Sequence, residues 1–161
     1  MPKKDVIHPG LMTEKTRAQL QKKLQELKLH IEQNQTEAGG TFESAQDWHD
    51  NGAYDMLQQQ LQVLVTQHDT IAARLYGAEI IQSRKDTSSV GVGNTVVVRY
   101  AGETDSEKFT ILGIADSETE KTWISAVSPL GSALLEKKAG DIVEIPPNIQ
   151  VTLLQILAGE F

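Results

Sequence analysis

The sequence predicts an α+β protein with a long antiparallel coiled-coil hairpin in its N-terminal half and a small β-rich domain in its C-terminal half. Two segments that repeat apolar residues at helical spacing, separated by a polar stretch, predict the hairpin. Five short β-prone runs after Asn94 predict the second domain. With 161 residues the chain has room for two modest domains, which we expect to cover residues 1–84 and 85–161.

Both helical segments show the heptad spacing of a coiled coil. The first begins near Thr13 and is otherwise rich in Lys, Gln and Glu. The second runs from about Asn51 to Ala78 and would reach roughly 40 Å at about 1.5 Å per residue, so its apolar stripe needs a partner helix. The preceding helix is the nearest candidate. The seam residues are Leu20, Leu24, Leu27 and Ile31 in the first helix and Leu57, Leu61, Leu64, His68, Ile71, Leu75 and Ala78 in the second.

The residues from Gly39 to Gly52 interrupt the heptads and predict the tip of the hairpin, because turn-forming residues gather there. Two acids three positions apart, Asp47 and Asp50, fall in this tip. Their carboxylates could share a hard cation such as Mg²⁺ if the tip entered another protein's active centre. Simple solvation, or capping of the second helix by Asp50 or Asn51, also explains acids in a polar turn.

The C-terminal part predicts one small sheet with a helix on one face. A short helix is expected between Ser128 and Gly140, where Ser128 can cap it, Pro129 fits the first helical position and Gly140 ends it. The polar, glycine-containing residues from Asp86 to Asn94 predict a linker between the domains. The expected strands are residues 95–100, 108–114, 122–127, 141–145 and 149–156.

Composition disfavours several classes of function. The net charge of -7 and pI near 5.1 predict weak or no independent DNA binding, and no Lys or Arg occurs between Lys28 and Arg74. The absence of cysteine, of a signal peptide and of any apolar run of about 20 residues predicts a soluble, cytoplasmic protein that does not enter a membrane. Tyr100, Phe109 and Trp123 have no interleaved basic residues, so we interpret them as core and not as a base-stacking platform.

Three motifs of this chain resemble the bacterial Gre transcript-cleavage factors, and the similarity runs from about Met12 to the C-terminus. The family's tip motif is an acid, two intervening positions, a second acid, Asn, and a Tyr three residues further on. The matching residues are Asp47-Trp-His-Asp50-Asn51-Gly-Ala-Tyr54 at the tip, followed by Leu75-Tyr-Gly-Ala-Glu-Ile-Ile81 and Ser128-Pro129-Leu-Gly-Ser-Ala-Leu-Leu-Glu-Lys-Lys-Ala-Gly-Asp141.

The resemblance implies an FKBP-like C-terminal domain that binds the rim of the secondary channel of RNA polymerase, with Ser128 and Pro129 in the docking segment. It also implies that the hairpin enters this channel. The tip residues it implies are Asp47 and Asp50, which would help hold an Mg²⁺ in the polymerase active centre, and Asn51 and Tyr54 as their supports.

A protein of this kind would have no cofactor of its own and would not itself be an enzyme. The resemblance implies that it stimulates the polymerase's intrinsic cleavage of backtracked RNA, with only indirect contact to the 3′ end of the nascent RNA.

The chain departs from the family pattern at three places. The second acid, usually Glu in the family, is Asp50, and Glu43 and Gln58 stand where cleavage-active members carry basic residues. Gly39-Gly40 falls inside the expected first helix, where each glycine costs about 1 kcal/mol relative to alanine. Two other hypotheses therefore stay open. One is a Gre-like secondary-channel binder that inhibits transcription or competes with cleavage factors; the other is a prolyl isomerase, which would need an aromatic-lined pocket.

Overall fold

The structure, a computed structural model, describes residues 10–44 and 52–161 and confirms the α+β fold class. The described residues form two compact units. The hairpin unit contains residues 18–44 and 52–76, and the β-rich unit contains residues 10–17 and 77–161. Residues 10–17 and 77–84 thus belong to the β-rich unit, although the sequence placed them with the hairpin.

The hairpin unit is built from two long antiparallel helices, α1 (Glu14–Ser44) and α2 (Gly52–Leu75). Every predicted seam position that lies on α1 or α2 is buried or half-buried, which confirms the heptad pattern. Leu27 and Ile71 are the most enclosed of these side chains, each 6% exposed. The second helix is shorter than predicted, because α2 ends at Leu75 and Ala78 follows it. No helix within the described ranges is both long and apolar enough to cross a membrane.

The tip was predicted to begin at Gly39 and this was wrong, because α1 continues through Gly39 to Ser44. Gly39 and Gly40 instead lie inside the first helix, as the comparison with the family pattern implied. Once a helix exists, each further residue adds a hydrogen bond, so propagation outweighs the weak helix propensity of glycine. A Cβ atom built at Gly39 would meet no atom within 4 Å, so glycine is not needed there for close packing.

The β-rich unit contains all five strands predicted from the sequence, preceded by a separate pair of short strands, β1 (Leu11–Met12) and β2 (Glu79–Ile80). The five strands are β3 (Asn94–Tyr100), β4 (Glu107–Leu112), β5 (Trp123–Ser125), β6 (Ile142–Ile145) and β7 (Ile149–Ala158). They form one sheet in the order β5-β4-β3-β7-β6. Neighbouring strands are antiparallel except β4 and β5, which are parallel.

One face of this sheet forms the hydrophobic core. Alternate residues of the central strands β3 and β7 point into it, and Leu134 of the short helix α3 (Pro129–Leu134) packs against it. Trp123 is buried beside Leu112, which confirms it as a core residue, and the half-buried Phe109 and Tyr100 pack at the border of the larger core. The central buried side chains are Val96, Val98, Ile111, Val151 and Leu153.

Two boundaries predicted in this unit differ from the structure. Helix α3 ends at Leu134, six residues before Gly140, because Leu135 leaves the helical conformation with a ψ of 139° and Glu136 after it adopts a left-handed φ of 63°. The predicted linker is part of the β-rich unit, since Val90 lies in its core. The buried Asn94 side chain also donates to the carbonyls of Arg84, Asp86 and Leu157, which fastens this segment to β7.

Three short elements were not expected from the sequence. Strand β1 (Leu11–Met12) pairs in parallel with β2 (Glu79–Ile80), and a 3₁₀ turn occupies Asp116–Glu118. A strand of two residues shows no alternation, so its pattern cannot be recognised. The pair brings the start of α1 and the chain after α2 side by side.

Candidate functional site

Most of the predicted tip residues lie outside the part of the chain that the structure describes. These are Asp47, Asp50 and Asn51, together with the neighbouring His49. Tyr54 is described and lies half-buried in the first turn of α2. The roles given to these four motif residues therefore stay predictions.

The described acids of the hairpin unit face solvent. Glu32 and Glu37 on α1 and Asp55 and Asp69 on α2 are all exposed, and so is Gln58. No Lys or Arg lies between Lys28 and Arg74, and the imidazole of His68 lies 3.0 Å from the carboxylate of Asp69. Such a surface repels phosphates and favours a basic or metal-containing environment.

The predicted docking segment forms the turn into α3. Ser128 precedes the helix with extended backbone angles, φ -66° and ψ 158°, and its Oγ accepts a hydrogen bond from the Gly131 amide at 3.0 Å. The same hydroxyl donates to the Ser125 carbonyl at 2.7 Å. A Cβ at position 131 would lie 2.1 Å from that carbonyl oxygen, so this tight turn requires glycine there. Ser128 therefore shapes the turn through bonds within the chain.

The exposed part of this turn is apolar. Pro129 is exposed at the first position of α3, and Val127 is 52% exposed just before it. Ile114 is 38% exposed and follows β4, whose last residue pairs with Ser125 of the parallel strand β5. Parallel strands end at the same edge of a sheet, so these side chains share one edge of the β-rich unit. We call Ile114, Val127 and Pro129 the apolar corner.

Sequence reasoning identified Pro129 but missed Val127 and Ile114. Both occur in runs that read as strands, where apolar side chains are normally buried. The predicted strands include both residues, whereas in the structure each comes two residues after the end of its strand.

Two depressions lie on the surface of the described residues. On the hairpin unit, the exposed Met56 and Val63 of α2 and the facing His30 and Asn34 of α1 border an open depression. On the β-rich unit, a second depression is lined by Ala101, Glu144, Asn148, Ile149 and Gln150, none of which is aromatic. Within residues 10–44 and 52–161, no group of three or more His, Asp or Glu side chains is arranged to hold a metal ion.

Comparison with known proteins assigns the chain to a family. Residues 85–158 match the family described as "Transcription elongation factor, GreA/GreB, C-term". The transcription elongation factor GreA of Streptococcus uberis is 34% identical over 152 residues, which cover 92% of this chain and 94% of that protein. GreA of Streptococcus pyogenes serotype M5 is 36% identical over 156 residues, 95% of each chain.

A solved structure of the GreA factor homolog 1 protein of Thermus thermophilus is 19% identical, covers 90% of this chain and 96% of that one, and gives a TM-score of 0.42. The two streptococcal relatives are more similar in sequence and match nearly the whole chain. On the strength of these matches, the chain belongs to the GreA/GreB family of transcription elongation factors.

Proposed function

We propose that this protein binds RNA polymerase in the cytoplasm, inserts its hairpin into the secondary channel and stimulates the polymerase's intrinsic cleavage of backtracked RNA. The observation that carries this proposal is the end-to-end similarity to proteins named transcription elongation factor GreA. The retained order of two acids, Asn and Tyr in the tip motif supports it further.

In this proposal the tip supplies carboxylates and the polymerase supplies the chemistry. Asp47 and Asp50 would bind an Mg²⁺ in the polymerase active centre, because carboxylate oxygens are ligands that this cation accepts, and the bound cation would lower the pKa of a coordinated water. The chain's own contribution is to place two negative charges and to orient that water near the RNA 3′ end. The protein is then an accessory factor and not itself an enzyme.

The acidic surface of the hairpin supports a role in which the protein binds polymerase and does not bind the RNA itself. Phosphate groups of RNA are repelled by the exposed carboxylates Glu32, Glu37, Asp55 and Asp69, so the protein gains little affinity from nucleic acid directly. Binding must come from protein contacts. The apolar corner of the β-rich unit offers an exposed surface for such contacts, with Pro129 and Val127 at its centre and Ser128 fixing the turn that presents them.

The tip is tested in stalled, backtracked elongation complexes. The full-length protein should accelerate the release of short 3′ RNA fragments, and Asp47→Ala or Asp50→Ala should abolish the acceleration while polymerase binding is unchanged. Asp55→Ala is the matched control, since Asp55 is an exposed acid in the first turn of α2 and lies outside the proposed metal-binding pair. Acceleration that survives removal of either tip acid would overturn this mechanism.

The docking surface is tested by affinity measurements with the same polymerase. Pro129→Ala and Val127→Ser should each weaken binding of the full-length protein, because they remove apolar contact area at the corner. Ile142→Ala is the control, since Ile142 is 63% exposed on the same unit but on strand β6. If the corner variants bind like wild type, the contact surface lies elsewhere.

A second candidate function is inhibition of transcription by occupancy of the same channel. Two features of this chain favour it: Asp50 is one methylene shorter than the Glu usual in the family, and the exposed Gln58 replaces a basic residue. A wild type that slows nucleotide addition without stimulating cleavage would establish this function. In that case Asp50→Glu tests whether cleavage is absent because the second carboxylate is too short to bind the Mg²⁺. Gln58→Arg tests whether cleavage is absent because the hairpin does not attract the RNA.

A further inference from the structure

Ile114 of the apolar corner lies on a loop that a buried carboxylate holds. The loop consists of residues 113–117 after β4, and we call it the Ile114 loop. Its Asp116 is 0% exposed and accepts a hydrogen bond at Oδ2 from the Gly113 amide at 3.1 Å. The Ser117 hydroxyl donates to the Ile114 carbonyl at 2.8 Å. These two bonds close the loop on either side of Ile114.

The second oxygen of Asp116 fastens the loop to residues 10–17 of the same unit. Oδ1 accepts from the Thr13 amide at 2.9 Å and from the Thr13 hydroxyl at 2.7 Å. A Cβ at Gly113 would lie 1.8 Å from the Leu11 carbonyl oxygen, so the loop approaches this segment too closely for any side chain. Strand β1 in the segment pairs with β2, so the Ile114 loop rests on a fixed support within the β-rich unit.

Helix capping does not explain the position of this carboxylate. A capping side chain accepts hydrogen bonds from amides that follow it, whereas Asp116 reaches back to Gly113. Ala115, which precedes the 3₁₀ turn, makes no capping bond with its side chain. Thr13 caps α1 with its own hydroxyl oxygen, which accepts from the Thr16 amide at 3.2 Å. The carboxylate of Asp116 is therefore placed to join the loop to Thr13.

The three donors around Asp116 require an acceptor at both of its oxygens. They are the amides of Gly113 and Thr13 and the hydroxyl of Thr13. An asparagine would turn an NH₂ group towards one of the two amides. Burying a carboxylate is costly unless it is fully hydrogen-bonded, and a small apolar residue at position 116 would avoid that cost. What the carboxylate adds is a fixed backbone around Ile114.

The Ile114 loop determines where Ile114 lies relative to Val127. The Ala126 amide donates to the Leu112 carbonyl at 2.9 Å, which joins the two chain segments just before they reach the corner. Beyond this bond Ile114 and Val127 are 38% and 52% exposed. An exposed loop has conformational freedom that binding would have to remove. A joint apolar surface for binding is therefore favoured when the loop is already held.

We propose that Asp116 is a positioning residue for the docking surface: its carboxylate holds the Ile114 loop, and Ile114 then completes the apolar corner with Val127 and Pro129. The proposal rests on the proposed function, in which this corner binds RNA polymerase. Asp116 is itself buried and acts on a partner only through Ile114. A released loop would have to be ordered again on binding, so the affinity should fall while the fold is kept.

The first test measures amide hydrogen exchange in the full-length protein without polymerase. Asp116→Asn keeps the shape of the side chain, and we expect exchange at least about tenfold faster at the amide of Gly113 or Thr13, whichever faces the NH₂ group. The Gly131 amide, which donates to Ser128 Oγ in the other part of the corner, should change by less than about twofold. Unchanged exchange at both loop donors would overturn the proposal, and so would equal acceleration at Gly131.

The second test is a double-mutant cycle on the affinity of the full-length protein for RNA polymerase. Ile114→Ala and Asp116→Asn should each weaken binding roughly fivefold, the first by lost apolar contact and the second by a released loop. Independent effects would multiply to about 25-fold, whereas an Asp116 that acts through Ile114 leaves the double variant roughly fivefold weaker, like Ile114→Ala alone.

Asp141→Asn is the matched control for this cycle. Asp141 also accepts from an amide three residues before it, that of Lys138 at 2.8 Å, but it precedes β6, at the other edge of the sheet. We expect its affinity to stay within about twofold of wild type. Losses that multiply in the cycle, or an equal loss in the Asp141 variant, would show that such carboxylates merely stabilise the unit and would overturn the proposal.

The remaining outcomes separate this proposal from the proposed function. If Ile114→Ala binds like wild type while Pro129→Ala and Val127→Ser bind more weakly, the positioning role is wrong and the docking surface stands. If none of the three weakens binding, the docking surface is wrong as well. If Asp116→Asn does not fold, the same cycle with Thr13→Val decides, and Thr13→Ser, which keeps the hydroxyl, should bind like wild type.

Discussion

The two units of this protein are stabilised in different ways. The β-rich unit encloses a continuous core in which six side chains are 0% exposed, among them Val98 and Leu153. In the described part of the hairpin unit only Leu27 and Ile71 are buried, and the remaining seam residues are half-buried. Most of the burial free energy therefore lies in the β-rich unit, and the hairpin depends on a narrow apolar seam.

This difference bears on function as well as stability. A seam of leucines at heptad spacing leaves most positions of both helices in solvent, where they are free to vary. In this chain those positions carry acids and no Lys or Arg between Lys28 and Arg74. The β-rich unit carries both signs of charge, including the ion pair Lys108–Glu160 at 2.8 Å. The β-rich unit is stabilised by its buried side chains, so its surface residues, too, can vary and serve in binding a partner.

The largest expected effect tests the core of the β-rich unit. Leu153→Ala removes a fully buried side chain from β7 and should lower the free energy of unfolding by about 2–5 kcal/mol. Leu154→Ala is the matched control, since the neighbouring Leu154 is 38% exposed and should change it by less than about 1 kcal/mol. Urea unfolding measures both in a Trp48→Phe background, where buried Trp123 is the remaining tryptophan. Equal losses would contradict this account of the core.

A smaller effect is expected in the hairpin seam. Leu61→Ala deletes a half-buried side chain of α2, and we expect a loss of about 1–2 kcal/mol because neighbouring side chains and water can fill the space. Gln67→Ala on the exposed face of the same helix should have almost no effect. Circular dichroism during urea unfolding follows the helices directly. A loss at Leu61 as large as that at Leu153 would mean that the hairpin is packed as tightly as the sheet.

The third prediction concerns glycine in α1. Gly39→Ala should raise the stability of the hairpin by about 0.5–1 kcal/mol, because Gly39 is helical and a methyl group there meets no atom within 4 Å. Gly77→Ala should have the opposite sign, since Gly77 follows α2 with a φ of +72°, which alanine adopts only with strain. Helical content and thermal unfolding of the two variants provide the comparison. Destabilisation by Gly39→Ala would indicate that the helix needs flexibility at this point.

The comparison of the units also explains which features could be predicted from the sequence. Heptads such as Leu57, Leu61 and Leu64 are local and strongly periodic, so both helices and their seam were predictable. The strands were predictable because β-branched residues cluster between turns. The end of α3 depended on the non-helical backbone of Leu135 and Glu136, and the exposure of Val127 depended on where β5 ends in the folded sheet.

The apolar corner and the tip motif could be predicted from the sequence to different degrees. Pro129 was identified by its motif, and the structure adds Val127 and Ile114 beside it. Asp116 gave no sequence signal, because its partner Thr13 lies 103 positions away and such contacts leave no local pattern. The acids Asp47 and Asp50 were identified from a resemblance, and they lie outside the described residues.

The smallest expected effect concerns Tyr100, at the border of the core of the β-rich unit, and tests whether burial there changes the pKa of its phenol. Burial raises the pKa of Tyr100 above its ordinary value of 10.0, and the carboxylates of Glu107 and Glu103 raise it further. The folded state therefore holds the phenol proton more tightly than the unfolded chain, so this stabilisation is complete below pH 10.0 and is lost as the pH rises through the folded-state pKa.

Tyr100→Phe removes that alkaline loss, because phenylalanine has no proton to release. The difference in unfolding free energy between variant and wild type should be constant below pH 10.0 and should shift in favour of the variant above it. Glu107→Gln sharpens the test, because it retains the burial of Tyr100 but removes one of the two carboxylates. It should lower the folded-state pKa of Tyr100 towards 10.0 without reaching it, so the alkaline loss of unfolding free energy should be smaller than in wild type. Urea unfolding across this range measures both variants. If the unfolding free energies of wild type and Tyr100→Phe differ by the same amount at every pH, burial does not change the pKa of this side chain. The difference between the two units would then concern their apolar residues alone.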